Sequence, residues 1–437
     1  MKRLITLAIM VAFILGTVGM AKAIEFQAKG DWQIGINAVS NPTFDSDDDQ
    51  DEFMATTRVR TTFEFIANEN LKGVMRVHSG DRRWGDGGSG SQIGREGAVG
   101  NSSFEYDRAY LDFMIPNSPV NMKVGKQPIA FPNTLGSHIF DNSLWAVSAS
   151  SSVIDMVDVT VGWARIDDTF ADGDNKNDEY DLFYGIVPVN MDGFAVNPFV
   201  AYGMKGSDHA GATESSGVFW AGLNFTVDMF DPIVVMGDFN YGTHGSTETA
   251  SGDVGDEARG WIADLAVQYK MDMVTPEVFI LYESGESRSS GAIDNRSKIM
   301  PSIGGDLFGV STFAMSGSPL RGIGRATLDG YAGISAWGPS GKMAVGGKLG
   351  DMSFLDDVTH DLQLTYYQGT NHKDNEGLFT TRDSAWEVTF DTSYQMYENL
   401  AAILELGYLH PSINNSSDRG IEDDAAFKAA TGFRYLF

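Results

Sequence analysis

The chain has 437 residues, with 31 basic and 59 acidic side chains and a formal net charge of −28 at pH 7. This acidic balance argues against a nucleic-acid partner, because proteins that bind nucleic acid present basic surfaces. Cysteine is absent, which excludes disulfide bonds and thiolate metal sites.

The N-terminal segment, residues 1–23, has the pattern of a bacterial secretory signal peptide. Lys2 and Arg3 precede an apolar run over 4–18, and Ala21-Lys22-Ala23 supplies an A-x-A cleavage site. The sequence therefore predicts a cleaved signal peptide over 1–23 and a single mature domain over 24–437, with a retained membrane anchor as the alternative. No later run of 18 apolar residues follows, so helices are not the expected means of crossing a membrane.

From residue 25 onward, apolar and polar residues alternate with a period of two. This is the pattern of a strand with one apolar and one wet face. In 25–39, for example, Trp32 and Ile34 fall on one side and Gln33 and Asn37 on the other. Seventeen clear segments of this kind follow one another along the chain, and 427–437 is the last.

The connections between these segments alternate between tight turns and long acidic loops. Tight turns lie at 68–70, 116–119, 190–193, 228–231, 270–273 and 397–399, and the long loops include 40–52, 80–103 and 284–328. Short turns at one end and long loops at the other are typical of outer-membrane barrels. The sequence predicts an all-β fold, a transmembrane antiparallel up-and-down β-barrel with a long loop folded into the lumen. Eighteen strands are favoured, with 144–154 as the eighteenth, and sixteen are the alternative.

Three short stretches carry a resemblance to a known family: YDRAYLDF at 106–113, VGKQ at 124–127 and the terminal FRYLF at 433–437. The chain resembles the general porins of the Gram-negative outer membrane, in particular the trimeric porins of sulfate-reducing (Desulfovibrio-type) bacteria. The resemblance implies a homotrimer in the bacterial outer membrane whose third loop enters the lumen, here between 127 and about 142. This loop lacks the P-E-F-G-G run of the enteric porins, so the details of their constriction do not transfer.

The resemblance also implies a role for the C-terminal aromatic residues. In this family a terminal Phe, with aromatics at the third and fifth positions from the end, is read by the barrel-assembly machinery. Phe437, Tyr435 and Phe433 fit that pattern and are the implied assembly signal. Outer-membrane lipid and lipopolysaccharide are the implied surroundings of the barrel.

Charged residues on the polar side of the strands are distributed unevenly. Bases cluster on the first five strands, whereas acids dominate later, at Asp181, Asp238, Asp264, Glu277, Asp361, Glu387, Asp391 and Glu405. Rings of charge commonly set the selectivity of channels. The sequence predicts a pore constriction formed by Arg58, Arg60, Arg76, Arg108 and Lys123, faced by Asp141 from the inserted loop. The alternative is that these charges only solvate a water-filled interior.

Two acidic loops are candidates for metal binding. Six carboxylates occur in 45–52 and six in 167–179. Ca²⁺ and Mg²⁺ prefer carboxylate oxygen, which makes Asp47, Asp49, Asp172 and Asp174 candidate ligands. Neither loop has the D-x-[DN]-x-[DN]-G pattern of a calcium-binding loop, and a solvated acidic face is the alternative. The predicted function requires no cofactor.

The predicted function is a water-filled outer-membrane channel for passive diffusion of small hydrophilic solutes and ions. A solute-specific channel of the sugar type is the main alternative, and an outer-membrane barrel enzyme is a lesser one. The sequence has neither a G-x-S-x-G nor an H-E-x-x-H motif, and its seven histidines are scattered, so no enzymatic activity is expected. The basic constriction and the acidic loops oppose each other, so we expect weak ion selectivity, slightly favouring cations.

Overall fold

The computed structural model describes residues 24–47, 51–79, 82–84, 105–168, 177–209, 212–245, 257–287, 296–305, 320, 340–375, 377–416 and 422–437. The predicted signal peptide lies outside these residues. Among the described residues, no helix is long and apolar enough to cross a membrane.

The described residues form one closed antiparallel barrel of eighteen strands. The strands are β1 (Glu25–Ser40), β2 (Glu52–Asn68), β3 (Leu71–His78), β4 (Glu105–Met114), β5 (Asn121–Ala130), β6 (Phe140–Ile154), β7 (Val157–Asp167), β8 (Tyr180–Ile186, continued by Val189–Met191), β9 (Phe194–Lys205), β10 (Ser216–Phe230), β11 (Ile233–His244), β12 (Glu257–Tyr269), β13 (Thr275–Glu283), β14 (Lys342–Leu355), β15 (Val358–Gly369), β16 (Ser384–Tyr397), β17 (Leu400–Ser412) and β18 (Ala426–Leu436). Three two-residue strands, Arg82–Arg83, Arg296–Ser297 and Gly304–Gly305, lie outside this set.

The prediction of eighteen strands is confirmed, and the alternative of sixteen is wrong. Strand β6 contains the predicted segment 144–154 and pairs with both β5 and β7. The barrel closes where β1 pairs with β18, from Asp31 opposite Leu436 to Ser40 opposite Phe427. Closure leaves no barrel strand with an unpaired edge, which a lipid environment requires.

The connections divide between the two ends of the barrel as the sequence predicts. The short ones are 69–70, 115–120, 155–156, 192–193, 231–232, 270–274, 356–357 and 398–399. The connections at the other end are longer, from the nine residues of 131–139 to the 58 of 284–341. The first residues of β1 and the last of β18 lie at the end of the barrel with the short turns. Glu25 is opposite Ile66, next to the turn at 69–70, and the N–H of Leu436 donates to the carbonyl oxygen of Asn399 in the turn at 398–399.

Side chains alternate between an exposed apolar face and a buried polar face. In β17, Leu404, Leu406 and Tyr408 are exposed, whereas Glu405 and Leu409 are buried. No second layer covers the outer face in the described residues, so its exposed side chains form an apolar band around the barrel. The buried residues lie on the inner face and pack against segments that enter the lumen.

Candidate functional site: the barrel lumen

The connection between β5 and β6, residues 131–139, turns into the barrel interior. We call it the inserted segment. Phe131 packs against inward-facing aromatics of β8 and β9, with ring centroids 6.1 Å from Tyr184 and 5.0 Å from Phe199. All three rings are buried. This apolar contact explains why the segment leaves the loop end of the barrel and lies inside, as predicted.

Polar contacts fix the inserted segment to strands on the far side of the lumen. Asn224 of β10 donates from Nδ2 to the carbonyl oxygen of Asn133 at 2.9 Å. The backbone N–H of Thr134 donates to Asp238 Oδ2 at 2.9 Å, and that of Leu135 donates to Asp264 Oδ2 at 3.3 Å. The segment therefore bridges the wall at β5 and β6 and the wall at β10 to β12.

His138 lies at the centre of this attachment. Its Nε2 is 3.2 Å from Asp238 Oδ1 and 3.1 Å from Asp264 Oδ2. Asp238 and Asp264 are directly opposite each other on β11 and β12, so both carboxylates project inward at one point. Burial disfavours the charged imidazolium, but the two carboxylates more than offset this effect and raise the pKa of His138 to about 10.

A second connection, between β13 and β14, also contributes to the lumen. The backbone N–H of Ile303 donates to the carbonyl oxygen of Ile139 at 3.0 Å. Trp220 of β10 donates from Nε1 to the carbonyl oxygen of Pro301 at 2.7 Å. Residue 320 lies against β17, where its N–H donates to Glu405 Oε1 at 2.9 Å. The described parts of this connection therefore support the inserted segment and contact Glu405 on β17.

Four of the predicted constriction residues form a neighbouring set on β2, β3 and β4. We call Arg58, Arg60, Arg76 and Arg108 the arginine row. Arg60 lies opposite His78, and Arg76 lies directly opposite Arg108. Arg58 and Arg60 follow buried Thr56 at a spacing of two, and Arg76 follows buried Val74 in the same way, so these side chains are on the inner face. Arg108 is placed there by its pairing with Arg76. The predicted residue Lys123 is on the inner face of β5, opposite Asp112.

Carboxylates neutralise only part of this wall. Asp107 accepts two hydrogen bonds from Arg76 Nε, at 2.7 and 2.8 Å, and Asp31 accepts two from Arg434, at 3.0 and 2.9 Å. Among the described residues, Arg108 and Lys123 have no carboxylate within ion-pair distance, and Arg108 Nε is 3.4 Å from Ser143 Oγ. Arg108 on β4 and Lys123 on β5 are therefore not held in direct ion pairs by the described residues.

Asp141 has a different position from the predicted one. It belongs to strand β6, where it lies opposite Ala130, because the pairing of β5 and β6 extends beyond the predicted strand ends. It is therefore on the same wall as Arg108 and contributes an attractive charge to it. The carboxylates that contact the inserted segment are those of Asp238 on β11 and Asp264 on β12.

The acidic wall lies on β15, β16 and β17. Asp361 is directly opposite Asp391, which is directly opposite Glu405. Lysines neutralise the two outer members: Lys348 Nζ is 2.9 Å from Asp361 Oδ2, and Lys428 Nζ is 2.9 Å from Glu405 Oε2. This wall is separated from the arginine row by the seam between β1 and β18. Counted around the ring of eighteen strands, the acids on the side opposite the row are Asp238 and Asp264 of β11 and β12.

The inward assignment of Asp181 on β8 is wrong. Phe183 is 45% exposed, so the odd-numbered residues of this strand face outward, and Asp181 is one of them. Asp181 is tolerated there because Arg165 of β7 lies opposite it and donates from Nε to its Oδ1 at 2.7 Å. A charged residue in an outward ion pair near a long loop produces the same polar–apolar alternation in the sequence as a charged residue that faces the lumen. The pattern therefore does not distinguish the two faces here.

The three C-terminal aromatics lie together on the outer face, beside β1. The Tyr435 and Phe437 ring centroids are 5.1 Å apart and lie 6.2 and 5.6 Å from the ring of Trp32. Phe433 lies opposite Ile34 on the same face. Their role as an assembly signal stays a prediction.

The predicted cation site in the acidic loops also stays a prediction. Asp47 lies in the connection after β1, where its backbone N–H donates to Asp45 Oδ1 at 2.9 Å. Asp49, Asp172 and Asp174 lie outside the described residues. Within the described residues, the one group of three potential metal ligands is His138, Asp238 and Asp264. The sequence places these on separate elements, and only the strand register shows that they meet.

Comparison with solved structures identifies the same architecture in several bacterial proteins. The structure of Acinetobacter baumannii OccAB4 superposes with a TM-score of 0.55 at 10% identity, covering 96% of this chain and 100% of that one. OccAB1 of the same organism gives 0.54 at 11% identity, covering 96% and 99%. The outer membrane protein OprD from Pseudomonas aeruginosa gives 0.52 at 13% identity, covering 96% of both chains.

At these identities the likeness shows a shared fold. No family model and no curated protein matches the chain. The resemblance to porins of sulfate-reducing bacteria stays a prediction.

Proposed function

We propose that the protein is a porin of the bacterial outer membrane, a water-filled channel for passive diffusion of small hydrophilic solutes and ions. The observation that carries this proposal is the inverted distribution of side chains. A closed barrel exposes an apolar band outside and encloses basic and acidic residues inside. This is the distribution expected of a barrel with lipid outside and water inside.

The constriction would lie between the arginine row and the inserted segment. The inserted segment is held on β10 to β12, so it leaves the inner faces of β2 to β5 on the other side of the lumen. Guanidinium groups on one side and carboxylates on the other produce a transverse field, which orders polar solutes and disfavours apolar ones. Acidic loops at the mouth oppose the basic row, so selectivity between ions should be weak.

Location and assembly form part of the same proposal. Export by the N-terminal signal peptide, insertion guided by the C-terminal aromatics and a homotrimer within lipid and lipopolysaccharide are consistent with the predicted sequence features. The apolar outer band supports membrane insertion directly.

A planar-bilayer recording of the purified, folded protein tests the channel. We expect discrete conductance steps, in groups of three if the trimer forms. A folded barrel that inserts into bilayers but gives no steps would overturn the proposal. Chemical crosslinking in detergent provides a separate readout of the oligomer.

A solute-specific channel is the second candidate, and Arg108 favours it. Its guanidinium and the Lys123 ammonium have no carboxylate within ion-pair distance among the described residues. Guanidinium groups bind carboxylates in paired geometry, so the solute would be a small carboxylate instead of a neutral sugar. Reduction of ion current by millimolar carboxylates, with no effect of sugars of similar size, would support this candidate over the general channel.

A further inference from the structure

Three potential metal ligands from three separate elements meet beside the inserted segment. His138 comes from the inserted segment, Asp238 from β11 and Asp264 from β12, and each is at most 6% exposed. Their nearest ligand atoms all lie within 4.8 Å of one another. Such a group is buried at the contact between the segment and the wall, and it forms only when the segment is in place.

The distances at His138 are compatible with ligands that share one ion. Its Nε2 is 3.2 and 3.1 Å from two different carboxylates. The buried lysine–carboxylate pairs have distances of 2.9 Å for Lys428–Glu405 and 3.1 Å for Lys342–Glu283, so the two contacts of His138 are of ion-pair length as well. Without an ion, the single Nε2–H would be shared between the two carboxylates as a bifurcated hydrogen bond. Ligands ~2.0–2.2 Å from one ion at tetrahedral or octahedral angles are about 2.9–3.5 Å apart, which fits these spacings.

The charge of the group also suits a dication. Two carboxylates share one imidazole, so even a protonated His138 leaves the buried group with negative charge. The carboxylates are held in position by backbone and amide donors: Thr134 N–H on Asp238 Oδ2, Asn240 Nδ2 on Asp238 Oδ1 and the backbone N–H of Asp238 on Asp264 Oδ1, at 2.9, 2.9 and 3.0 Å. Such outer hydrogen bonds orient ligands in metal sites.

We propose that His138, Asp238 and Asp264 form a divalent transition-metal site that fixes the inserted segment to β11 and β12. Imidazole selects ions such as Zn²⁺ over Ca²⁺ and Mg²⁺, which prefer all-oxygen sites. Three protein ligands leave a further position for water. The site is separate from the acidic loops and from the arginine row, and metal binding itself does not depend on the proposed channel function.

Calorimetry on the full chain, folded in detergent and stripped with a chelator, tests metal binding. Zn²⁺ is titrated in the presence of excess Ca²⁺, which occupies carboxylate-only sites. We expect one tight Zn²⁺ per chain in the wild type, and at least ~10-fold weaker binding in Asp264→Asn. His372→Ala, which removes a half-buried histidine whose Nδ1 is 3.6 Å from Asp374 Oδ2, is the matched control and should bind as the wild type does.

Folding of each variant is checked by its heat-modifiable mobility on gels. If Asp264→Asn fails to fold, His138→Gln replaces it, because that residue lies outside the barrel strands. Co²⁺ gives a second readout: visible absorption bands should appear in the wild type and be lost in the variant. Absence of stoichiometric Zn²⁺ binding, or unchanged binding in the folded variant, would show that the group is an ion pair only and would overturn the proposal.

The consequence for the channel is measured separately. If the ion fixes the inserted segment, removing the ion with a chelator should increase the current fluctuations of single channels. Adding Zn²⁺ should then reduce these fluctuations again. Tight Zn²⁺ binding without any conductance would contradict the channel and leave the metal site standing. Quiet channels that neither bind nor respond to Zn²⁺ would contradict the metal site and leave the channel standing.

Discussion

Arg108 and Lys126 carry the same charge on neighbouring strands but on opposite faces of the barrel. Arg108 faces the lumen beside Arg76, whereas the Lys126 ammonium lies outside, 6.0 Å from the centre of the Tyr106 ring. Replacing Arg108 with Ser should shift the reversal potential in a salt gradient toward cation preference, because it removes positive charge from the path. Lys126→Ser removes the same charge from the outer face and should leave the potential unchanged. Equal shifts in both variants would remove Arg108 from the constriction.

Gly30 is required by the ring of Phe437. Their backbones exchange two hydrogen bonds, and a Cβ at residue 30 would lie 2.2 Å from Phe437 Cε1. We expect Gly30→Ala to lower the stability of the barrel by about 1–3 kcal/mol, the usual cost of overpacking. Urea titration followed by mobility on gels measures the loss. In a Phe437→Ala background the same substitution should cost much less, and equal costs in both backgrounds would contradict the contact.

Among the elements, the inserted segment depends on the aromatic contact at Phe131. Truncating this buried ring to Ala should loosen the segment, because Phe→Ala in a packed core typically costs about 3–5 kcal/mol. Single-channel conductance should rise or fluctuate more than in the wild type. Phe183→Ala, on the outer face of β8 next to Tyr184, is the matched control. A quiet channel of normal conductance in the Phe131 variant would show that the polar contacts hold the segment alone.

The strands could be predicted because lipid and water impose an alternation that extends over whole segments. Strand β6 gives the weakest alternation, since its serine-rich stretch at 148–152 offers little contrast between the two faces. The position of the inserted segment could be expected only from the family resemblance. The assignment of Asp181 failed because the charge of a single residue does not show which face it occupies.

The cluster at His138 could not be predicted from the sequence. His138 and Asp264 are 126 residues apart, and Asp238 and Asp264 are 26 apart. Alternation shows that both aspartates face inward, but it does not show that they are directly opposite each other. Register and depth depend on the pairing of all the strands, and one residue of slip would separate the two carboxylates.

For the whole molecule, the apolar band is the feature that determines the environment. Leu406 lies on the outer face of β17 and is 40% exposed. Leu406→Arg should reduce insertion into lipid bilayers, since a lipid-facing arginine costs up to about 2–4 kcal/mol near the membrane centre. Leu406→Val, which keeps the surface apolar, is the control. Insertion is measured by protection of the barrel from protease in liposomes, and equal protection of both variants would argue that this face does not contact lipid.

The pairing of β1 with β18 also governs the order in which the fold can be completed. Arg434 and Asp31, which pair across this seam, are 403 positions apart in the chain. Contacts of such separation form late, because the chain entropy of closing the ring is lost before the contact is gained. Until β18 arrives, β1 has one unpaired edge, and a sheet with open edges recruits other strands. A chain that stops before Ala426 therefore keeps two unpaired strand edges whatever its length. With seventeen strands it is as exposed to edge-to-edge aggregation as with three.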